Sequence, residues 1–376
     1  MKVTIIGASI SGIFTAFLLA KEGVEVEVYE KSDVLGWPPR TLIVTSELKN
    51  VLNFLPEEAI INEVRYLELF ARSKSAKLKL RAPDLVIERD KIVNLLARFA
   101  KDAGAKIVLK HQFEGFAQFG RKVVVCLRNL ETNEERRIST DILVGADGTS
   151  STVTRASSRN GHLLAALLQA RVLLPENVKS DTFQVWFDSD QTKYFYWLIP
   201  ESDRTAAVGL IADDARQAEA CLTVFLRDRE LEPLEFQSAM VPMHRFGYAG
   251  GVLSNGRNVF AVGDAAAQVK VTTVGGVVPG LYGAKALAQA ILNGRNYRKE
   301  LIGLKMELNL HLLVRHVLNR FSDKDYDELI GMLDGGLKEI LEKWTRDELA
   351  QCFLRLIWTE PRLITIGAKA LLKSLL

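Results

Sequence analysis

Hydrophobic and polar positions follow two periods along the chain, and the first residues already show both. Residues 3–6 are a β-branched apolar run, residues 7–12 are rich in glycine and serine, and residues 13–21 are mostly apolar, with Gly23 just beyond. Such a run predicts a strand, and a glycine past an apolar stretch predicts a helix end. Val24, Val26 and Val28 then alternate with Glu25, Glu27 and Tyr29, which predicts a second strand and completes a β-α-β unit. Residues 3–20 carry no charge, a length that resembles a signal peptide or a membrane span. The turn inside this stretch, and the strand wired to it, read instead as part of a folded unit.

Further on, Ile92, Leu95, Leu96, Phe99 and Ala100 repeat with a helical period. Residues 141–147 and 258–264 are buried-strand runs, ending in Asp147-Gly148 and Gly263-Asp264. Three strands are predicted at 183–187, 194–199 and 206–211, broken by polar turns at 188–190 and 201–203. A small-residue helix is predicted from about Pro279, and 300–376 reads as helical.

Composition narrows the function classes. The chain has 376 residues, 48% hydrophobic and 25% charged, the balance of a folded globular protein. Its net charge of +3, without basic runs interleaved with aromatics, argues against a nucleic-acid partner. Cys126, Cys221 and Cys352 are widely spaced and form no CxxC motif, so they read as reduced thiols of a cytoplasmic protein. The five histidines have no helical metal-site spacing, and no metal site is expected.

Gly7-Ala8-Ser9-Ile10-Ser11-Gly12 opens the first helix. In a β-α-β dinucleotide site the glycines permit a tight turn, close approach of the pyrophosphate and close helix packing. The helix N-terminus adds free N–H groups and a positive dipole end. Ser9 stands where the middle glycine would be, and Glu30 ends the second strand, placed to accept ribose hydroxyls. An acid there disfavours a 2′-phosphate, so FAD or NAD is preferred to NADP. Three strand ends presenting turns suited to one long ligand fit an extended FAD; an NAD dehydrogenase is the rival reading.

On these residues the chain resembles FAD-dependent oxidoreductases with the p-hydroxybenzoate hydroxylase fold, and among them the geranylgeranyl reductase family of archaeal type. The stretch 263–277, GDAAAQVKVTTVGGV, is similar to the family's GDAAGQVKPTTGGGI, and Phe195 to Pro200, FYWLIP, to its YxWxFP motif. Residues 322–327 and Pro361-Arg362-Leu363 resemble the family's helical C-terminal region. The implied fold is α/β: a Rossmann-like FAD-binding domain of 1–46, 86–160 and 249–299, an interleaved antiparallel-sheet substrate domain of 47–85 and 161–248, and a helical C-terminal region of 300–376.

The resemblance also implies the site. Gly7, Ser9, Ile10, Ser11, Gly12, Glu30, Lys31 and Arg40 are expected at the cofactor, with Arg89, Asp147, Gly148, Gly263, Asp264, Gly275, Gly276 and Val277. Reduced flavin carries negative charge over N1 and C2=O, where a helix N-terminus reached through Gly275 and Gly276 stabilises it. Thr41, Tyr196, Trp197 and Pro200 are the pocket candidates, and Trp186, Tyr194 and Phe195 supply further aromatic area. Thr41 stands in place of a family cysteine; Ala267 and Val274 replace family glycines, Val271 the proline, Phe195 a tyrosine and Ile199 a phenylalanine.

The implied activity is FAD-dependent saturation of isolated double bonds in geranylgeranyl chains of archaeal ether lipids or their precursors. The alternatives are reduction of polyprenyl-quinone tails, aromatic hydroxylation, and prenyl binding without turnover. Tyr194, Tyr196 and Tyr282 are the candidate proton donors. Electrons are expected from NAD(P)H or a ferredoxin-like protein. Residues 363–376 mix Leu, Ile and Ala with Lys369 and Lys373, suiting either an interfacial helix on the inner face of the membrane or a helix docked on its own protein.

Overall fold

The computed structural model describes residues 1–157, 162–246 and 258–372. The expected domain boundaries at 160/161 and 248/249, and Lys373, lie outside the described residues. Among the described residues the strands form sheets of five, eight and three strands.

The five-stranded sheet is parallel throughout, in the order Val259–Ala261, Ile142–Gly145, Lys2–Ile6, Glu25–Tyr29, Lys106–Val108. A parallel sheet needs cover on both faces. Val3, Ile5, Val26, Val28 and Val144 pack beneath the helices Ile10–Lys21, Arg89–Asp102 and Val277–Leu292. Ile6, Tyr29, Leu143 and Val259 pack on the antiparallel meander His111–Phe119, Lys122–Asn129, Glu135–Thr140, with Val123, Val125 and Leu127. Burial on both sides explains the continuous apolar run at 3–6.

The first helix starts at Ile10, three residues earlier than the glycine pattern predicts. Ser9 is its N-cap, and the Ser9 Oγ accepts the Gly12 N–H at 3.2 Å. The cap satisfies a first-turn donor and draws the helix start into the glycine segment.

The eight-stranded sheet runs Pro233–Met243, Leu163–Leu173, Thr205–Ala212, Tyr196–Pro200, Thr182–Trp186, Ile60–Phe70, Ser75–Glu88, Thr41–Val44. All its pairs are antiparallel except Thr182–Trp186 with Ile60–Phe70. Thr41–Val44, which precedes the expected boundary at 46, is an edge strand of this sheet. Side chains alternate across it. Tyr196, Leu198, Val208 and Leu210 pack with Leu222 and Phe225 of the helix Ala215–Asp228, while Trp197, Ile199 and Ile211 join Phe183 and Val185 on the opposite face.

The C-terminal region is helical, with Ile302–Leu318, Asp323–Gly331, Gly335–Lys343, Leu349–Thr359 and Arg362–Leu372. Phe321, Tyr326, Cys352, Leu356 and Ile366 form its core, on which Phe187 of the sheet side packs. Arg346 pairs with Asp84, and Lys270 with Asp347, fastening the region to the rest. Among the described residues no helix is long and apolar enough to cross a membrane.

The sheet-to-helix contact behind Tyr196 is testable. The Phe225 ring lies 4.3 Å from that of Tyr196 and nearly parallel to it, and the Arg229 guanidinium lies 3.7 Å from the centroid of the Phe225 ring. Phe225→Ala should lower the unfolding free energy by about 3–5 kcal/mol, read from denaturant midpoints.

Candidate functional site

Where the parallel strands end, backbone approaches backbone. Gly7 has φ +99, and a Cβ there would lie 2.5 Å from the Ala146 carbonyl oxygen. A Cβ on Gly12 would lie 2.5 Å from the Gly7 oxygen and 2.8 Å from the Ala146 Cβ. These two glycines let the helix start sit directly on the strand ends. Ser11 fills a matching notch, since a Cβ on Gly263 or Gly280 would come within 2.8 or 2.4 Å of its Oγ. The second helix that reaches the site, Val277–Leu292, has Gly276 as its N-cap, with no side-chain hydrogen bond there.

Glu30 accepts from the Ala8 N–H at 2.8 Å through one oxygen and from the Ser32 N–H at 2.9 Å through the other. It therefore orders both the glycine turn and the loop after the second strand. Lys31 is exposed and lies off the cavity wall. Asp147 accepts from Ser151 Oγ at 2.5 Å, and from the Thr152 N–H and hydroxyl at 2.6 and 2.8 Å. Its carboxylate is engaged in its own turn, and the following Gly148, with φ +78, borders the cavity.

A single cavity of about 390 Å³ extends from this convergence to the C-terminal region. At one end it meets Ser9, Ile10, Ser11, Arg40, Arg89 and Asp264. Arg89 Nη1 donates to the carbonyls of Gly36, Trp37 and Pro38 at 3.2, 2.9 and 3.1 Å, pinning that loop. Burial and the neighbouring Arg89 charge pull Arg40 down to about 10, against the opposing attraction of Asp264. Burial raises the Asp264 carboxyl, opposed by Arg40, Arg89 and His162. Arg40 Nε is buried without a hydrogen-bond partner among the described residues.

These residues fit FAD. Two helix N-termini and two arginines suit a pyrophosphate, Asp264 suits the ribityl hydroxyls, and the glycines leave no Cβ in the way, while Glu30 ends the second strand beside the glycine turn with both oxygens on backbone N–H groups. Gly275, Gly276 and Val277 border the same cavity, and a Cβ on Gly276 would lie 2.9 Å from Asp264 Oδ1.

The cavity is also walled by the inner face of the large sheet, including Leu67, Leu69, Phe183, Val185, Trp197 and Ile199. Trp197 Nε1 is buried without a partner among the described residues. Tyr196 and Pro200, expected with Trp197 at the pocket, lie off this wall: strand alternation sends Tyr196 onto Phe225, and the Pro200 carbonyl accepts from Asn62 Nδ2 at 2.9 Å. Neither Tyr194 nor Tyr282 borders the cavity either. The Arg315 guanidinium lies 5.2 Å over the Tyr194 ring, burial raises the Tyr194 phenol to about 12, and the Tyr282 hydroxyl donates to Glu47 at 3.1 Å.

Thr41 does border the cavity, and a network that no local motif announces holds it there. Its hydroxyl donates to buried Glu201, its N–H to Gln237 Oε1 at 3.1 Å, and its carbonyl accepts from Gln169 Nε2 at 3.2 Å. Arg171 Nε completes the network on Glu201 at 2.7 Å. Lys270, Arg315, Arg346 and Asp347 also border the cavity, and they too lay outside the expected site.

Two replacements of family glycines now have a physical consequence. Ala267 has φ +48 and Val274 has φ +53, left-handed conformations that cost a residue with a Cβ about 1–2 kcal/mol. Ala267 is the cleaner test, because substitution by glycine removes a single buried methyl there, whereas at Val274 it removes a whole branched side chain. Ala267→Gly should raise thermal stability, by about 1 kcal/mol at the transition midpoint.

The family model described as FAD binding domain matches residues 1–293. A digeranylgeranylglycerophospholipid reductase from Methanocaldococcus jannaschii is 25% identical, over 96% of this chain and 96% of that protein. Another of the same description from Methanothrix thermoacetophila is 26% identical, over 87% of this chain and 90% of its own length. A solved structure of a geranylgeranyl bacteriochlorophyll reductase-like protein from Thermoplasma acidophilum superposes with a TM-score of 0.75 at 19% identity, covering 98% of both chains. The expected family resemblance, the α/β fold and the cofactor are thus borne out. With its glycine turn, arginines and Asp264 inside the matched segment, the chain belongs to the FAD binding domain family and is an FAD-dependent oxidoreductase.

Proposed function

We propose that the chain saturates isolated double bonds in geranylgeranyl chains of archaeal ether lipids or their precursors. The observation that carries this reading is the continuity of the cavity: the apolar wall of Leu67, Leu69, Phe183, Val185, Trp197 and Ile199 runs on from the cleft of Arg40 and Asp264. A wall of this chemistry takes an unbranched or methyl-branched hydrocarbon, with about 0.8 kcal/mol for each methylene removed from water. The names of the relatives in Methanocaldococcus jannaschii and Methanothrix thermoacetophila support the same substrate class.

Bound FAD supplies the hydride chemistry. The chain's own residues bind and orient the hydrocarbon, exclude water, and hold protons at the wall. Thr41 Oγ, fixed on Glu201, and Lys270 Nζ, fixed on Asp347, are two such proton-bearing groups. Electrons come from NAD(P)H or a ferredoxin-like protein, and the lipid is met at the membrane surface. Support for the surface encounter comes from exposed apolar side chains on the last helices, Leu354 at 69%, Trp358 at 85% and Ile364 at 57%.

The test begins with FAD-loaded protein reduced under anaerobic conditions. Adding a digeranylgeranyl glycerophospholipid should restore the oxidised flavin spectrum, with a matching gain of hydrogen in the lipid by mass analysis. A spectrum that stays reduced beside an unchanged lipid rejects this substrate. Trp197→Ala should raise the KM for the lipid while FAD remains bound, whereas Tyr196→Phe, altered on the opposite face, should leave that KM unchanged.

A further inference from the structure

Lys270 is only 5% exposed and lies on the cavity wall beside the glycine turn. Its N–H donates to the Gly275 carbonyl at 3.1 Å, an isolated antiparallel bridge that fixes the lysine against the turn. A Cβ on Gly275 would lie 3.4 Å from Lys270 Cε and 3.7 Å from Nζ. The ammonium end therefore passes across the open face of Gly275, the residue before Gly276, which is the N-cap of Val277–Leu292. Cation and helix N-terminus thus act on the same part of the cavity with the same sign.

The counter-ion comes from far along the chain. Lys270 Nζ pairs with Asp347, and both side chains are 6% exposed. Thr45 Oγ1 also donates to Asp347, at 2.6 Å. Burial alone would raise the Asp347 carboxyl, but the Lys270 charge and the hydrogen bonds from Lys270 and Thr45 hold it below the usual range. Other charges nearby have partners of their own: Arg346 has Asp84, His311 is beside Glu307, and Arg315 donates to the carbonyls of Val271, Thr272 and Lys193. A buried ion pair is weak as a stabilising device, because desolvation offsets most of its attraction. Its position on a redox cavity is where such a pair has a consequence: charge near a cofactor changes the relative energies of its oxidation states.

We infer that Lys270 is the counter-charge for the negative charge of the reduced cofactor, and that Asp347 of the C-terminal region sets how much of that charge reaches it. The inference rests on the FAD chemistry assigned to this cleft, and it adds a role for the C-terminal region in setting the reduction potential. Lys270 favours the reduced state, and Asp347 moderates it. A shift of the segment carrying Asp347 would therefore change the potential without touching the FAD-binding turns.

The test is the midpoint potential of FAD bound to the full chain, measured by spectroelectrochemical titration without lipid. Lys270→Met should lower the midpoint, Asp347→Asn should raise it, and Lys270→Arg should keep it near that of the unaltered protein. Opposite shifts from the first two variants support the inference, because a merely structural pair would not move the potential in opposite directions. Unchanged midpoints, or shifts of the same sign, overturn it. If Lys270→Met does not retain FAD, Asp347→Asn decides alone: a raised midpoint supports the inference, and an unchanged or lowered one overturns it. Because no lipid is present, the outcome is separate from the substrate assignment. Opposite shifts in a protein that leaves the lipid unchanged would reject the prenyl substrate and keep the counter-charge; lipid turnover with unmoved potentials would do the reverse.

Discussion

Backbone contact at Gly7 and Gly12 is the constraint on which the site depends. The first helix begins against the strand ends so closely that a methyl at Gly12 would overlap the Gly7 oxygen and the Ala146 side chain. That closeness directs the N–H groups of the helix start into the cleft, beside Arg40, Arg89 and Asp264. Ser11, held in the notch of Gly263 and Gly280, brings the third strand end and the helix Val277–Leu292 to the same place. A bulkier residue at any of these contacts would separate elements that must all reach one ligand.

From this convergence the cavity changes character along its length. Arg40, Arg89 and Asp264 gather beside the helix start, Lys270 lies across Gly275 with Asp347 as its partner, and the large sheet supplies the hydrocarbon wall. Buried charge is tolerated because partners are close: Asp264 faces two arginines, and Lys270 and Arg346 each have a carboxylate. Thr41 illustrates the same rule for a neutral group. Its hydroxyl, N–H and carbonyl all have partners, so a polar residue sits on an apolar wall in one defined orientation.

The C-terminal helices are part of this site rather than an appendage to it. Asp347 and Arg346 reach the cavity from the segment between Gly335–Lys343 and Leu349–Thr359, while Phe187 of the sheet side packs into the helical core. Further bonds, in which the Ser73 hydroxyl donates to Asp327 and the Ser189 hydroxyl to Asp323, join the helices to the turns of the large sheet. Movement of these helices is consequently coupled to the shape of the cavity and to the charge at Lys270.

By itself the amino-acid sequence determined the β-α-β opening, the strand ends at 147 and 264, the strands across 182–212, the helical C-terminal region and the FAD cleft. These are written in short-range patterns: a period of two, a helical period, and glycines where the chain turns or touches itself. The tertiary structure decided which face of a strand matters. Alternation makes Tyr196 and Trp197 equivalent until Ala215–Asp228 covers one side, and then only Trp197 remains on the cavity. It also decided that Asp147 serves its own turn, that Glu201 holds Thr41, and that Asp347 meets Lys270. Thr41 and Glu201 are separated by 160 positions, and Lys270 and Asp347 by 77. No local period relates such residues, so only the packing of the sheets and the C-terminal helices brings them together.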